Sequence, residues 1–455
     1  MRRQPFAIED ITSDATNREI LRRLNENDST FTKLRVSITR QYNHAQKLEC
    51  LGYVPVGVYI GKNIILKELR LNMNLVDFNV EPFCRGVNDN TSIRKLRFYG
   101  SDLSGGEIFQ LLCPFFENNH NLAELQVDYC EFRAGCARQL SLALKGCKKS
   151  LKTVRFLDTT MGDGQLVEII EVLSTHSQHS QLENLGLVDM NIGRNECMVA
   201  LANLLRITTE LRTLNLGHND IDDEGVDALV DALANSSANL HTLVLNFNNV
   251  TTPGSRRLAT LLDNPNCLEE LDLSCNEVGD EGALIFANIL ANNCKLKTLG
   301  LSDDNSDNNI TEEGWGSISN VLCNTSSVNN TFLSNHTFGC VRSFDEPSEP
   351  YLPPGLAASL ALNRSSDDND QVAIKKILQY HRHFDMQPFF EWDLKMLPLV
   401  INWFERAQSI ENIGEVGIES RKLDAIYQFI RAMPSMVEKE SEAQLIGIMD
   451  SCVLL

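Results

Sequence analysis

One short pattern of apolar residues recurs along the chain and constrains its fold more than any other feature. The pattern is LxxLxL, followed by a polar residue and another apolar residue. A regular interval of this length indicates a repeat architecture in which each unit is one supersecondary element. Ten copies, separated by 27 to 32 residues, begin at Leu66, Ile93, Leu122, Leu151, Leu182, Leu211, Leu240, Leu268, Leu296 and Val328.

Each copy predicts a strand, a turn and a helix. The clearest copies read LRTLNLGHNDI from Leu211 and LEELDLSCNEV from Leu268. They lead into DEGVDALVDAL and DEGALIFANIL, in which leucine and alanine follow helical spacing. A unit this short cannot bury its apolar side chains alone. We therefore expect neighbouring units to stack and share a core, with positions one, four and six of each copy pointing inward.

The ninth position of the pattern carries mostly small side chains with a hydrogen-bonding group. We expect them to occupy the turn and to bond to backbone groups that the ending strand leaves unpaired. Met190 cannot do so, and we expect a distortion there, with Asn191 as a substitute. The nine residues are Asn74, Ser101, Cys130, Thr159, Met190, Asn219, Asn248, Asn276 and Asp304.

These residues and their spacing resemble the ribonuclease-inhibitor-like class of leucine-rich repeats, in which about 28 or 29 residues carry a full helix. Ran GTPase-activating proteins and intracellular immune receptors have similar arrays. The resemblance covers roughly residues 63–340 and implies an α/β leucine-rich-repeat solenoid with the curvature of a horseshoe. It says little about function, because buried residues define the class whereas exposed residues select the partner.

The segment before the repeats, residues 1–62, is expected to be an N-terminal cap. It should contain a helix around Thr16–Asn25 and a degenerate repeat, in which Phe31, Leu34 and Val36 have the spacing of a strand. Terminal repeats are commonly atypical because they close the core against water.

The segment after the repeats changes composition. Residues 63–340 hold the repeats, and residues 341–370 form a proline-rich and acidic connector for which we expect extended backbone. Residues 371–455 are expected to be an α-helical extension, with a helix that begins near Gln371 and is capped by SSDDND. These helices either cap the last repeats or bind a second partner.

Charge and composition limit the classes of partner and the compartment. The net charge is −20 and the pI is near 4.9, which disfavours nucleic acid and anionic membranes as main partners. We expect a cytoplasmic protein, because the sequence shows neither a secretory signal nor an apolar run of membrane-spanning length. Thirteen cysteines without a CxxC pair favour reduced, buried thiols over disulfides or metal ligands.

Recognisable catalytic and cofactor-binding motifs are absent from the sequence. GVYIGKN, at Gly57–Asn63, is too short between its glycines for a phosphate-binding loop and lacks the serine or threonine that would coordinate magnesium. The histidine pairs at 176/179 and 381/383 have no neighbouring Cys, Asp and Glu cluster with metal spacing. We therefore expect no enzymatic activity, no cofactor and no metal.

The exposed strand positions predict where a partner binds. Parallel strands place equivalent positions of neighbouring repeats about 4.8 Å apart. At positions two, three and five, the first four copies carry seven basic residues against two acids, Glu68 and Glu124, so the concave face begins basic. This basic stripe consists of Lys67, Arg70, Arg94, Lys95, Arg97, Lys152 and Arg155. Copy eight reverses the sign with an acidic patch, Glu269, Glu270 and Asp272.

We expect the basic stripe to bind an acidic protein surface, with the acidic patch orienting a partner of mixed charge. Tyr99 and Tyr129 are the exposed aromatic candidates for interface anchors. Alternatively, the long basic side chains spread in solvent and pair with Glu68 or Glu124 on adjacent strands.

The sequence thus predicts a non-enzymatic protein-binding scaffold. The alternative is an activator or regulator of a small GTPase, which the resemblance to Ran GTPase-activating proteins implies. Those proteins typically end in a strongly acidic tail, whereas this chain ends in QLIGIMDSCVLL.

Overall fold

The computed structural model describes residues 6–10, 17–38, 53–73, 80–103, 108–132, 135–147, 151–161, 164–175, 181–193, 195–236, 239–263, 268–302, 308–342, 352–366 and 368–381. The chain divides into two compact units. The first is drawn from Met1–Ile289, Lys295–Gly314 and Cys340–Tyr351, and the second from Leu290–Cys294, Trp315–Gly339 and Leu352–Leu455.

A single sheet runs through the first unit. Over the described residues it has twelve strands, and their order in the sheet is their order in the chain. The first two strands are antiparallel, and all later neighbours are parallel. The strands are β1 (Phe6–Asp10), β2 (Lys33–Ile38), β3 (Glu68–Met73), β4 (Lys95–Tyr99), β5 (Glu124–Asp128), β6 (Thr153–Leu157), β7 (Asn184–Val188), β8 (Thr213–Asn215), β9 (Thr242–Val244), β10 (Glu270–Asp272), β11 (Thr298–Ser302) and β12 (Cys340–Arg342).

Helices alternate with these strands, as the spacing of leucine and alanine predicts. They are α1 (Asn17–Glu26), α2 (Tyr53–Lys62), α3 (Glu81–Val87), α4 (Ile108–Leu111), α5 (Cys113–Asn118), α6 (Cys136–Gly146), α7 (Gln165–Thr175), α8 (Asn195–Ile207), α9 (Asp223–Ala234), α10 (Thr252–Asp263), α11 (Gly279–Leu290), α12 (Glu312–Leu322), α13 (Val328–Phe332), α14 (Pro354–Asn363) and α15 (Asn369–Tyr380).

The leucine positions form the core of the first unit. Positions one, four and six are buried in each of the first nine copies; Leu211, Leu214 and Leu216, for example, are completely inaccessible. Burying one such side chain contributes about 1.5–3 kcal/mol to the free energy of folding. The predicted leucine-rich-repeat solenoid is therefore confirmed.

The tenth copy lies further along the chain than the pattern predicts. Val328–Phe332 is a helix, and the strand of the tenth repeat is β12, in which Cys340 pairs with Thr298 of β11. A strand beginning at Val328 would place the polar Thr331 at its inward fourth position. It would also place Leu333, which is 67% exposed, at the inward sixth position. Apolar residues at only two of the three inward positions do not make a strand here. The prediction that the tenth copy begins at Val328 was therefore wrong.

Asparagine side chains at the ninth position join the turns of the later repeats. Asn248 donates from Nδ2 to the carbonyl oxygen of Leu216, one repeat earlier, at 3.1 Å. Its Oδ1 accepts hydrogen bonds from the backbone N–H groups of Asn219 and Ile221 at 3.1 and 2.9 Å. Asn276 bonds similarly with its own neighbours. The predicted role of the ninth position is confirmed for these asparagines.

The side chains that join the turns differ from the prediction in two repeats. After Asn276, the next asparagine that joins two turns is Asn308, and not a residue at the predicted position 304. Oδ1 of Asn308 accepts a hydrogen bond from the N–H of Asn276 at 3.0 Å. Met190 contributes only its backbone N–H, which donates to Oδ1 of Asn219 at 2.8 Å. Asn191 is exposed in the left-handed region and does not replace it. Asp304, like Asn74, lies outside the described residues.

The start of the chain contains the predicted helix and degenerate repeat. Helix α1 precedes β2, and Phe31, Leu34 and Val36 are all inaccessible. Strand β2 is parallel to β3, with Leu34 opposite Leu69. The unpredicted strand β1 pairs antiparallel with the outer side of β2.

The second unit contains helices on both sides of the predicted connector boundary. Helix α14 begins at Pro354, inside the segment expected to be extended; proline is compatible with a first helical position, where no N–H bond is lost. Helix α15 is capped by Asp368, whose side chain accepts from the Gln371 N–H, which confirms the predicted cap. Predicted helices beyond residue 381 lie outside the described residues, and the four domain boundaries remain proposals.

A buried lysine lies within the second unit. The Lys376 ammonium donates to the carbonyl oxygens of Leu322, the last residue of α12, and of Asn335. A positive charge is favourable at a helix C-terminus. Nδ1 of His336 lies 3.1 Å from Nζ of Lys376. Burial lowers the pKa of Lys376 to about 7 and that of His336 to about 4.

Candidate functional site

The strand register places the fifth-position residues of the early repeats side by side. Arg70 is opposite Arg97, Arg97 is opposite Gln126, and Gln126 is opposite Arg155. Strand β2 adds Arg35 opposite Arg70. Arg35 was not predicted as a site residue because β2 lies outside the regular copies. We call the side chains at positions two, three, five and seven the strand surface, since positions one, four and six are buried.

Acidic side chains neutralise part of the basic stripe. The ion pairs are Lys95–Glu124 at 3.1 Å, Lys152–Glu183 at 2.5 Å and Arg70–Glu68 at 2.5 Å. The pairing across adjacent strands that the sequence left open therefore occurs for Lys95 and Glu124, whereas Arg70 pairs with Glu68 of its own strand. Lys67 and Arg94 are exposed, and neither side chain forms an ion pair or hydrogen bond with any described residue.

Asp128 is a buried carboxylate between two arginines of the stripe. It occupies the seventh position of the third copy and is completely inaccessible. Its Oδ2 lies 2.6 Å from Nη2 of Arg97, and its Oδ1 lies 3.7 Å from Nε of Arg155. Neither oxygen accepts a hydrogen bond of good geometry from a described residue. Two guanidinium groups against one carboxylate leave this cluster with one net positive charge.

Two exposed tyrosines lie beside Arg97. Tyr99 is 44% exposed and Tyr129 is 47% exposed, and their rings meet edge to face with centroids 5.4 Å apart. Cζ of Arg97 lies 5.4 Å from the centre of the Tyr99 ring, within range of a cation–π contact. An accessible aromatic surface therefore adjoins the positive charge, as Tyr99 and Tyr129 were expected to provide.

The acidic patch is smaller than the sequence suggested. Asp272 is completely buried, and its Oδ1 accepts hydrogen bonds from the N–H and hydroxyl groups of Ser274 at 3.0 and 2.6 Å. Asp272 therefore cannot contact a partner. Glu269 remains accessible and pairs with Lys297 at 2.7 Å, and this hydrogen bond lowers the pKa of Glu269. Glu270 is half-buried.

A second aromatic pair lies in the later repeats, at the eighth position. The rings of His218 and Phe247 stack with centroids 4.0 Å apart, and Phe247 is 41% exposed. Both residues have φ above +50°, as Tyr129 does, and bulky side chains rarely adopt that conformation. The eighth position thus presents aromatic rings at the end of several strands.

Other kinds of site find little support in the part of the chain that the structure describes. In these segments, no group of three or more His, Cys, Asp and Glu side chains could hold a metal ion. None of the helices described above is both long and apolar enough to cross a membrane. Cys84, Cys130 and Cys147 are buried free thiols, and burial raises the pKa of each to about 12.

Comparisons with known proteins agree with the repeat geometry. A family model described as Leucine Rich repeat matches residues 209–230 and 264–287. Ribonuclease inhibitor of Mus musculus is 29% identical over 253 residues, which is 54% of this chain and 53% of that protein. NACHT, LRR and PYD domains-containing protein 3 of Homo sapiens is 27% identical over 250 residues, which is 54% of this chain and 21% of that protein.

One solved structure, an internalin of Listeria monocytogenes, has 16% sequence identity and a TM-score of 0.33, covering 58% of this chain and 68% of that one. The strand order, and not this likeness, establishes the fold. The chain spans about half the length of the mouse ribonuclease inhibitor that it matches. The copies of the pattern, their parallel register and these relatives together show that the repeats of this chain are ribonuclease-inhibitor-like leucine-rich repeats.

Proposed function

We propose that the chain is a non-enzymatic scaffold that binds an acidic surface of a partner protein through the strand surface of its early repeats. The observation that carries this proposal is the register of Arg70, Arg97 and Arg155 on a chain of net charge −20. Like charges on neighbouring strands are unfavourable for folding. Charge complementarity across an interface accelerates association and selects partners, so the arginine column can serve binding although it does not favour folding.

The relatives support a protein as the partner. The mouse and pig relatives are named as ribonuclease inhibitors, that is, as proteins that act on an enzyme. Because this chain matches about half of each, we infer its own partner from its own surface. The proposal places the protein in the cytoplasm, without a cofactor, and with neither nucleic acid nor a membrane as its main partner.

The acidic patch gives the partner a second requirement. Glu269 and Glu270 lie on the same sheet as the basic stripe but several strands away. We propose that they contact a basic region of the partner and fix its orientation. Replacing both with lysine should weaken binding less than changes in the basic stripe, because Lys297 already neutralises Glu269.

The structure selects the variants that test the proposal. Reversing Arg97 would place a carboxylate beside buried Asp128 and would perturb folding as well as binding. Lys67→Glu combined with Arg94→Glu changes exposed residues without described partners and leaves this cluster intact. Arg138→Glu combined with Lys145→Glu, on the exposed side of α6, makes the same change in net charge away from the strands.

The experiment first captures partners with the wild-type chain and then measures Kd with the purified partner. The strand-surface variant should raise Kd by about tenfold or more and reduce the dependence of Kd on salt. The α6 variant should change Kd by no more than about twofold. Equal effects of the two variants, or none from either, would overturn the proposed function.

A further inference from the structure

We propose that Arg97, Asp128 and Arg155 form a subsite that takes a single carboxylate group of the partner, with Tyr99 and Tyr129 contacting an apolar residue next to it. This inference rests on the proposed function and specifies the chemistry that the partner must present. The ligand is a segment of protein in which aspartate or glutamate adjoins an aromatic or aliphatic residue.

The geometry leaves donors available for a ligand. Arg97 and Arg155 are two strands apart, or about 9.6 Å by strand spacing, with Gln126 between them. A guanidinium group has five N–H donors, and the closest contact of each arginine with Asp128 involves one nitrogen. Nε of Arg97 is buried, but the Arg97 side chain as a whole is 21% exposed and the Arg155 side chain is 40% exposed. A carboxylate between the two arginines can accept from both.

Asp128 holds the two arginines together and sets the charge of the subsite. Without it, two guanidinium groups at this spacing would repel each other and turn toward solvent. With it, the cluster has one net positive charge, which one carboxylate neutralises.

The same charge count distinguishes a carboxylate from a phosphate. A phosphate monoester carries about −1.5 to −2 charges near neutral pH. It would leave excess negative charge against the inaccessible Asp128, which water cannot screen. The subsite therefore favours glutamate or aspartate over phosphoserine.

The tyrosine pair supplies the neighbouring contact. Tyr99 and Tyr129 are nearly half exposed although their rings already contact each other, so each retains a free edge or face. Aromatic residues beside arginine are common in the energetically dominant part of protein interfaces. The Arg97–Tyr99 contact joins this apolar surface to the charged subsite.

The first test selects short random peptides displayed on phage against the full-length chain. Peptides with Asp or Glu beside an aromatic or aliphatic residue should be enriched on the wild type. Arg155→Gln removes a partly exposed guanidinium and leaves Arg97 to pair with Asp128, so the variant should fold and lose this enrichment. Enrichment of peptides without acidic residues, or equal enrichment on the variant, would overturn the subsite.

The second test uses three synthetic versions of the best selected peptide, with Glu, Gln or phosphoserine at the acidic position. The Glu peptide should bind the wild type about tenfold more tightly than the Gln peptide, and also more tightly than the phosphoserine peptide. Asp128→Asn raises the charge of the subsite to +2 and should increase the affinity for phosphoserine relative to Glu by about tenfold. An unchanged ratio in a variant that melts like the wild type would contradict the inference.

The two proposals fail in different ways. If Lys67→Glu with Arg94→Glu weakens partner binding but the selected peptides ignore carboxylates, the subsite is wrong and the proposed function stands. If that variant binds the partner as the wild type does, the proposed function is wrong whatever the peptides show.

Discussion

The early repeats, which carry β3–β6, and the late repeats, which carry β8–β11, share one backbone plan but use their polar residues differently. At the turn, the repeats of β4–β6 have the short side chains of Ser101, Cys130 and Thr159, whereas asparagines fill that position in the repeats of β8–β10. On the strand surface the contrast reverses. The early strands carry arginine and lysine, whereas the fifth positions of β8, β9 and β11 are the neutral Asn215, Val244 and Gly300, and that of β10 is the buried Asp272.

The turn position and the strand surface therefore serve separate purposes. A buried turn needs its backbone groups bonded. An asparagine side chain has two N–H donors and a carbonyl acceptor, so it bonds more of these groups than a hydroxyl with its single donor does. The strand surface lies outside the leucine core and is free to vary with the partner. We therefore expect the late repeats to show the larger losses of stability at the turn and the early repeats to show the losses of binding.

The largest effect on stability is expected from Asn248→Ala. The side chain donates to the carbonyl oxygens of three residues and accepts from two backbone N–H groups, all in buried turns. Losing these bonds should lower the free energy of unfolding of the late repeats by about 4 kcal/mol. Native-state hydrogen exchange of β8–β10 measures this loss. Asn215→Ala, which removes a single bond to the Gly217 N–H, is the control and should cost about 1 kcal/mol.

The next largest effect is expected from Arg97→Ala in the early repeats. It removes the closest partner of a buried carboxylate, which should cost about 3 kcal/mol. Replacing Asp128 with Ala in the same chain should restore more than half of that loss, because no buried charge then remains. A thermodynamic double-mutant cycle measures the coupling. Simple additivity of the two single changes would show that Asp128 does not depend on Arg97.

A smaller effect is expected from Thr159→Ala, the early counterpart of the asparagine substitution. Among the described residues, the hydroxyl bonds to the carbonyl oxygens of Val127 and Leu157, at 3.0 and 3.2 Å. The expected cost is about 1 kcal/mol, measured by hydrogen exchange of β5 and β6. A loss as large as that of Asn248→Ala would remove the distinction between the two kinds of turn.

The smallest effect is expected on stability at low pH, from a change at Asp280. Asp280, at the start of α11, accepts hydrogen bonds from the Thr311 hydroxyl and N–H groups, both at 2.7 Å, and the hydroxyl bond above all lowers the pKa of Asp280. A carboxyl whose pKa is lower in the folded state stabilises the fold above its unfolded pKa, near 4, and loses that contribution as the pH falls below it. Asp280→Asn should reduce the fall in Tm between pH 6 and pH 3 by roughly 1 °C, since this residue is largely solvated. An identical fall in both chains would show that the Asp280 carboxylate does not contribute to the pH dependence of stability.

The sequence predicted the fold because leucine spacing is a direct consequence of burial. Positions one, four and six of the first nine copies are buried as expected, and Asn219, Asn248 and Asn276 bond across repeats. The tenth copy was missed because the residues around Val328 meet the spacing only in part and form a helix instead. Asn308 was missed because it lies four residues beyond the ninth position of its copy, where the count reaches Asp304.

The candidate site was less predictable because it depends on the burial and the bonding partners of each polar side chain. The column through Arg70, Arg97 and Arg155 could be read from the repeats, since parallel register preserves position. The burial of Asp128 and Asp272 could not, because both lie at positions expected to face solvent. Neighbouring side chains make the burial of these carboxylates possible. Arg97 and Arg155 form ion pairs with Asp128, and Ser274 donates a hydrogen bond to Asp272.

The proposed function requires that a partner contacts the strand surface of the early repeats. Hydrogen–deuterium exchange of the full-length chain, with and without its captured partner, tests this claim directly. We predict that binding protects β4–β6 and the exposed residues around Lys67, Arg94 and Tyr99, while the amides of α6–α8 exchange at the same rate as in the free chain. Protection centred on those helices, or on β8–β11 alone, would contradict the claim.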